Sequence, residues 1–376
     1  MSKARELAEL GAAYDSGALS NRNVIINGAM QCWQRATAAT TTANGYSTVD
    51  RWKHFESGAG AYTTEQSTDH PTGTGYSLKF QVTTADTSIA AGEYAFTETN
   101  LEGQNLQQLQ YGTSTAKDVT VSFWVKSNKT GIYCVALYKH AGTGTAYMYR
   151  KEYTISAANT WEKKVVTISP TAGSTALITA SAGAVPNSNA MGLSLVFGLA
   201  WGSNYHGTDN TWQTGSGYGT SNQVNWMDST SNNFYLAEVQ LEAGTEATPF
   251  EHRSFGDELQ ACQRYFSKSY RYDKYAGDAS SLGWVQTEFH ENNQGAGYRE
   301  YYAFPFAVRM RATPTITIYD TAGNAGKCNY YISAGSGNPN KVLTVSSANE
   351  RTFGGYSDRA TSIGGWACHY LADAEL

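Results

Sequence analysis

The sequence predicts an all-β protein: a short N-terminal helix, a β-sandwich of jelly-roll type, a linker helix, then a smaller C-terminal β-domain. Three observations predict it. Charged residues are only 16% of the chain, against a usual quarter, and Gly, Ser, Thr, Asn and Gln supply the missing polarity. Tyr occurs 26 times, and aromatic and β-branched side chains pack well on a pleated surface. Short alternating runs recur between Gly- and Asn-rich turns, as in sandwiches and jelly rolls. With 376 residues, 41% of them hydrophobic, the chain is long enough for two or three cores. We divide it at residues 1–20, 21–250 and 251–376.

Residues 1–20 place Leu7, Leu10 and Tyr14 at helical spacing before Gly11 and the Asp15-Ser16-Gly17 run break the pattern. This helix is either frayed or an anchor that docks on another protein or on its own copies. The run 118–126 alternates: Val119, Val121, Phe123 and Val125 face one way, Thr120, Ser122 and Trp124 the other. Runs 131–138, 161–168, 192–199 and 233–241 continue the series. The pair Asn27-Gly28 suits a reversal or bulge of a first strand. Asp50-Arg51-Trp52 reads as a latch over the core. Gln240 and Glu242 alternate with Val239 and Leu241 and so are expected to face outward. Residues 246–253, with Pro249, read as an extended linker. Residues 256–266 read as a helix with Leu259, Cys262, Gln263 and Phe266 on one face, and strands follow at 298–310, 315–319, 327–332, 341–346 and 364–371.

Composition excludes several function classes. The net charge of −5 gives no basic footprint for nucleic acid. No stretch approaches the roughly 20 apolar residues that span a bilayer, and the first residues lack the apolar core of a signal peptide. The expectation is synthesis in the cytoplasm without export. The five cysteines, Cys32, Cys134, Cys262, Cys328 and Cys368, form no CxxC pair and read as buried thiols. No nucleophile elbow, zinc-protease helix, phosphate loop or dinucleotide loop is present. Glu288 and Glu291 near His290, and Asp69 beside His70, are the nearest approach to acidic clusters, and read as solvated charge. No enzyme is expected.

Aromatic residues carry the stronger signal. Residues 203–232 are rich in Gly, Ser, Thr and Asn yet hold four large rings, unlike a disordered loop. Trp201, Tyr205, Trp212, Tyr218 and Trp226 offer apolar faces, and Asn204, Asp209, Asn210 and Asn222 offer hydrogen-bonding groups. That pairing suits a pyranose, which has an apolar face and a rim of hydroxyls. The alternative for each ring is to plug the sandwich. A second set, Tyr270, Tyr272, Tyr275, Trp284, Tyr298, Tyr301 and Tyr302 with Arg271 and Arg299, suits a subunit contact or a receptor contact.

Six segments in order resemble one family: residues 21–30 with Gln34-Arg35; 49–52; 121–126; 239–244 with 247–251; 258–266; and the ending 372–376 preceded by Trp366. The chain resembles bacteriophage tail-fibre and other virion appendage proteins that carry a carbohydrate-binding-module-like (galactose-binding-like) jelly roll. The resemblance implies a virion location, a galactose-binding-like jelly roll and a C-terminal β-domain. With it come the expectations of a host-surface glycan or receptor as ligand, of a homotrimer, as many fibres are, and, if residues 1–20 are an anchor, of their docking on other virion proteins. A structural calcium ion is compatible with such jelly rolls, with no ligands assignable. A head or neck fibre without glycan affinity is the second reading. A small glycan depolymerase, needing two carboxylates about 5–9.5 Å apart, is the third.

Overall fold

The computed structural model describes Lys3 and residues 21–40, 44–142, 145–289, 299–332, 337–358 and 364–376. Leu7, Leu10, Tyr14, His290, Glu291 and Tyr298 lie outside the described residues. Glu288, Arg299, Tyr301 and Tyr302 lie on described strands, but their side chains do not belong to the description. The chain forms two compact units: residues 1–31 with 37–254, and residues 32–36 with 255–376.

The first unit contains β1 (Ala38–Thr40), β2 (Trp52–Ser57), β3 (Ala61–Ser67), β4 (Ser77–Thr84), β5 (Tyr94–Glu102), β6 (Val119–Ser127), β7 (Gly131–Lys139), β8 (Tyr147–Ile155), β9 (Glu162–Ile168), β10 (Met191–Trp201), β11 (Gln213–Thr214) and β12 (Asn233–Ala243). They make two six-stranded antiparallel sheets, ordered β1-β3-β4-β12-β6-β9 and β11-β8-β7-β10-β5-β2. The alternation of β6 sends Val119, Val121, Phe123 and Val125 inward, all fully buried. Rings from the two sheets interleave there. Phe123 of β6 meets Phe197 of β10 edge-on at 4.9 Å between centroids, and Phe234 of β12 meets Tyr133 of β7 at 5.6 Å. Burying one such side chain contributes on the order of 1.5–3 kcal/mol.

Residues 21–30 form turns rather than a first strand. The bulge lies instead in β12, between Ala237 and Gln240, where Glu238 has a φ of 47°. The N-terminal segment fills it. Val239 N–H donates to the Gly28 carbonyl at 2.9 Å, Asn23 Nδ2 donates to the Val239 carbonyl at 3.0 Å, and Asn23 Oδ1 accepts from Leu241 N–H at 3.1 Å. A Cβ on Gly28 would run into the Val239 carbonyl oxygen. The Asp50-Arg51-Trp52 latch is buried, and the Trp52 indole donates to the Asn27 carbonyl at 3.2 Å.

Gln240 and Glu242 do not face solvent: both are buried. The segment after β12 folds back over them. Thr248 N–H donates to Glu242 Oε1 at 2.9 Å, and Glu251 N–H to Gln240 Oε1 at 2.8 Å. Alternation correctly set them on the far side of β12, but it could not reveal the cover.

The second unit contains α1 (Phe255–Gln263), β13 (Phe266–Lys268), β14 (Val285–Phe289), β15 (Arg299–Pro305), β16 (Thr315–Tyr319), β17 (Lys327–Ile332), β18 (Gly337–Val342), β19 (Thr344–Ala348), β20 (Thr352–Asp358) and β21 (Gly364–Asp373). β21 is its spine, pairing with β13, β14, β16 and β17, while β15-β20-β19 forms a second sheet. The helix stops three residues before the predicted Phe266. That residue begins β13 opposite Asp373, so strand pairing with β21 captures the chain first. Its buried helical residues are Glu258 and Cys262. Lys268 is held by three carbonyls, of Gln34, Tyr272 and Lys274.

Of the predicted contact residues here, Tyr270 is a correction. It is buried, 4% exposed, with its ring stacked on His369 at 3.8 Å, so it belongs to the interior of this unit. Tyr272 is exposed, and its hydroxyl accepts from Trp33 N–H at 2.8 Å.

Candidate functional site

The outer face of the second sheet carries an aromatic cluster separate from the core between the two sheets. In β10, Leu193, Leu195, Phe197 and Leu199 point inward, so Ser194, Val196 and Gly198 point outward. Cross-strand register extends these into rows. Phe55 of β2, Phe96 of β5 and Gly198 of β10 are neighbours, as are Lys53, Glu98, Val196, Ala136 and Arg150. A third row runs Asn100, Ser194, Tyr138 and Met148. Small residues at Val196, Ala136 and Gly198 leave a low floor between larger walls.

A bulge places the central ring. The β10–β5 register shifts between Gly198 and Ala200, so that Ala200 pairs with Ala95 and Trp201 with Tyr94. Strict alternation would turn Trp201 to the core; the extra residue turns it outward. The indole then lies against glycine backbone on two sides, because a Cβ on either Gly198 or Gly219 would collide with it. Trp201 stacks on Phe96 (4.9 Å, 26°) and on Tyr218 (5.1 Å, 16°), and Phe96 stacks on Phe55 (4.6 Å, 20°). Tyr94, Tyr138 and Tyr205 pack around this cluster, half-buried.

A polar strip adjoins the rings. Ser194 Oγ donates to Asn100 Oδ1, and His140 Nε2 lies 2.7 Å from Ser194 Oγ. Asn100 Nδ2 reaches the Tyr46 hydroxyl and Glu98 Oε1, both at 3.3 Å. Burial raises the Glu98 carboxyl above its ordinary range, with the Lys53 charge and the Asn100 hydrogen bond working against the rise. Burial, reinforced by the Lys139 charge, lowers His140 to about 4. The imidazole is therefore neutral at pH 7. Burial also raises the Tyr218 hydroxyl, so it stays a neutral donor and acceptor.

The loop carrying Tyr218 is fixed from below. Arg150, fully buried, donates to the Thr208 and Met148 carbonyls at 3.1 Å each and to Gln213 Oε1. Glu152 Oε1 accepts from Asn222 Nδ2 at 3.0 Å and from Thr220. Asp209 is such a fastener too, bonded to Lys151 Nζ at 2.7 Å and Glu152 N–H at 2.8 Å.

The predicted site residues therefore divide. Trp201, Tyr205 and Tyr218 come together on the outer face, where Trp201 is itself buried, 7% exposed, beneath the half-buried tyrosines. Asn204 is exposed beside Gly92 at its edge. Trp212 and Trp226 are corrections: they are 1% and 0% exposed. Trp212 packs on Tyr149 and Tyr111 and donates to the Ser169 carbonyl at 2.9 Å, while Trp226 packs edge-on to Tyr62. Both plug the sandwich, which satisfies their large apolar area without ligand. Asp209 is spent on loop anchoring, and Asn210 on the Tyr149 hydroxyl at 2.7 Å.

Sequence reasoning missed Phe55, Tyr94, Phe96, Glu98, Asn100, Tyr138, His140 and Ser194. A signal existed in residues 94–100, where Tyr94, Phe96, Glu98 and Asn100 alternate with the small residues Ala95, Thr97 and Thr99.

Elsewhere, Asp69 is exposed and bonded to Lys126 and to Trp161 Nε1, whereas His70 is buried. Glu56, Asp86 and Glu93 converge around Gly58. Burial and the Asp86 and Glu93 charges raise Glu56 to about 6. Among the described residues, no group of three His, Cys, Asp or Glu is arranged to hold a metal ion.

No protein-family model matches this chain, and no curated protein matches it. Solved structures do. One is the enzymatically active domain of tailspike protein 4 of bacteriophage CBA120, at 10% identity over 59% of this chain, with a TM-score of 0.30; this chain spans 21% of that one. A sugar-binding protein from Bacteroides thetaiotaomicron, so described provisionally, matches at 11% identity over 59% of this chain and 100% of its own, TM-score 0.34. A family 11 carbohydrate-binding module of Clostridium thermocellum matches at 12% identity over 57% and 100%, TM-score 0.29.

Proposed function

We propose that the first unit binds a neutral glycan on the outer face of its second sheet, without turnover, and that the chain is a host-recognition protein of a virion appendage. One observation carries the glycan reading: the half-buried rings of Phe55, Tyr94, Tyr138, Tyr205 and Tyr218 surround the buried Phe96–Trp201 stack and lie beside the Glu98-Asn100-Ser194-His140 strip. Rings present a flat apolar surface to the C–H face of a sugar. Half-buried Glu98 and His140 supply hydrogen-bonding groups for its hydroxyls, held in place by the buried Asn100 and Ser194. Half-buried rings gathered on one face of a sheet commonly mark a binding site.

The virion reading rests on the six sequence segments. On this reading the chain assembles as a homotrimer, residues 1–20 join it to other virion proteins, and the glycan belongs to the host surface.

The test is a glycan array probed with the full chain, followed by calorimetric titration of any hit. Binding of a neutral saccharide, with no reducing sugar released on prolonged incubation, is the expected result. A folded chain that binds nothing on the array would overturn the glycan reading, and released sugar would favour the depolymerase. Antibody labelling of purified particles tests the virion reading: label on an appendage supports it, and absence of the chain from the particles contradicts it.

A further inference from the structure

We infer that Cys328 and Cys368 are a latent cross-strand disulfide in the second unit, a thiol pair placed to close when the protein meets an oxidising environment. The β17–β21 ladder runs Tyr330 opposite Trp366 and Asn329 opposite Ala367. One further step of the same antiparallel register sets Cys328 opposite Cys368. Residues opposite each other in a ladder project from the same face, and both cysteines are fully buried in one cluster with Phe353, Trp366 and Tyr370. Opposed residues have Cα atoms about 4.5–5.5 Å apart, inside the roughly 4.4–6.8 Å that a disulfide spans. Burial raises the Cys368 thiol well above its ordinary range, and Cys328 contributes a second, electrostatic push, which places the two sulfurs in each other's field.

The chemistry balances with an external disulfide such as glutathione disulfide. One cysteine thiolate attacks it, forming a mixed disulfide and releasing one glutathione. The second thiolate attacks the mixed disulfide, forms the Cys328–Cys368 bond and releases the other. Two protein thiols are oxidised and one external disulfide is reduced. Burial keeps Cys368 as the thiol and shields both sulfurs from the external disulfide, so closure of the folded chain waits on strand opening, whereas a refolding chain meets no such delay. The pair thus stays open in a reducing cytoplasm and closes outside it.

The experiment refolds the full chain from urea with glutathione disulfide and maps its peptides by mass spectrometry. A Cys328–Cys368 linked peptide is expected, together with a rise of roughly 5–10 °C in the melting of the second unit, reversed by reductant. Cys328→Ser and Cys368→Ser should each abolish the linked peptide and leave glutathione on the remaining thiol. Refolded protein in which both cysteines carry glutathione, remain reduced, or pair with other cysteines would overturn the inference.

Discussion

The Tyr218 ring lies parallel to the Trp201 indole, 5.1 Å away and 16° off, although one comes from a loop and the other from a strand end. Neither position follows from local propensity. The β10 bulge turns Trp201 outward, and the Arg150 and Glu152 hydrogen bonds bring the loop down onto it. The platform therefore depends on residues that never touch it.

Arg150 is the first point of test. Replacing it with Met leaves the Thr208 and Met148 carbonyls and Gln213 without their donor, at a cost of about 2–3 kcal/mol. Urea unfolding should report that loss, and amide exchange should quicken in residues 206–219. Arg150→Lys should rescue little, because an ammonium cannot reproduce the guanidinium's fork. Unchanged exchange in that loop would show that Arg150 does not hold it.

Trp212 and Trp226 should behave as core. Trp212→Ala is expected to cost about 3–5 kcal/mol, read as a lower urea midpoint. Ligand affinity of the remaining folded protein should be unchanged. A fall in affinity without a fall in stability would return Trp212 to the binding site.

Acid sensitivity should arise at His54. It is fully buried between Thr48 and Thr97, and burial lowers it to about 3. The unfolded side chain titrates near 6.5, so the folded state binds the proton less readily. This contribution is whole above pH 6.5 and is lost as pH falls from there towards 3. Between pH 7 and 4 the loss is on the order of 3 kcal/mol. His54→Gln should flatten the fall of unfolding free energy over that window; an equally steep fall would place the acid sensitivity elsewhere.

Much of the fold was legible in the chain. Alternation in β6, β10 and β12 located strands and their inward residues, because the period of two is written directly in Val119 to Val125. What it could not show was what covers the other side. Gln240 and Glu242 looked exposed until residues 245–251 were seen to fold back on them. The site was half legible for the same reason. The loop rings were conspicuous by composition, yet burial sorts Trp212 and Trp226 from Tyr205 and Tyr218, and burial is a long-range property. The strand residues Phe55, Phe96 and Glu98 were overlooked because an outward ring on a strand looks like an ordinary β-former until three strands set such rings side by side.

Glycan titration of Tyr218→Ala against Tyr218→Phe tests the proposed site most directly. Removing the ring is expected to weaken the full chain's binding about tenfold, on the order of 1.4 kcal/mol, with the phenylalanine variant near the parent and both melting within a few degrees of it. Equal affinity for all three proteins would mean that the glycan does not bind on this face.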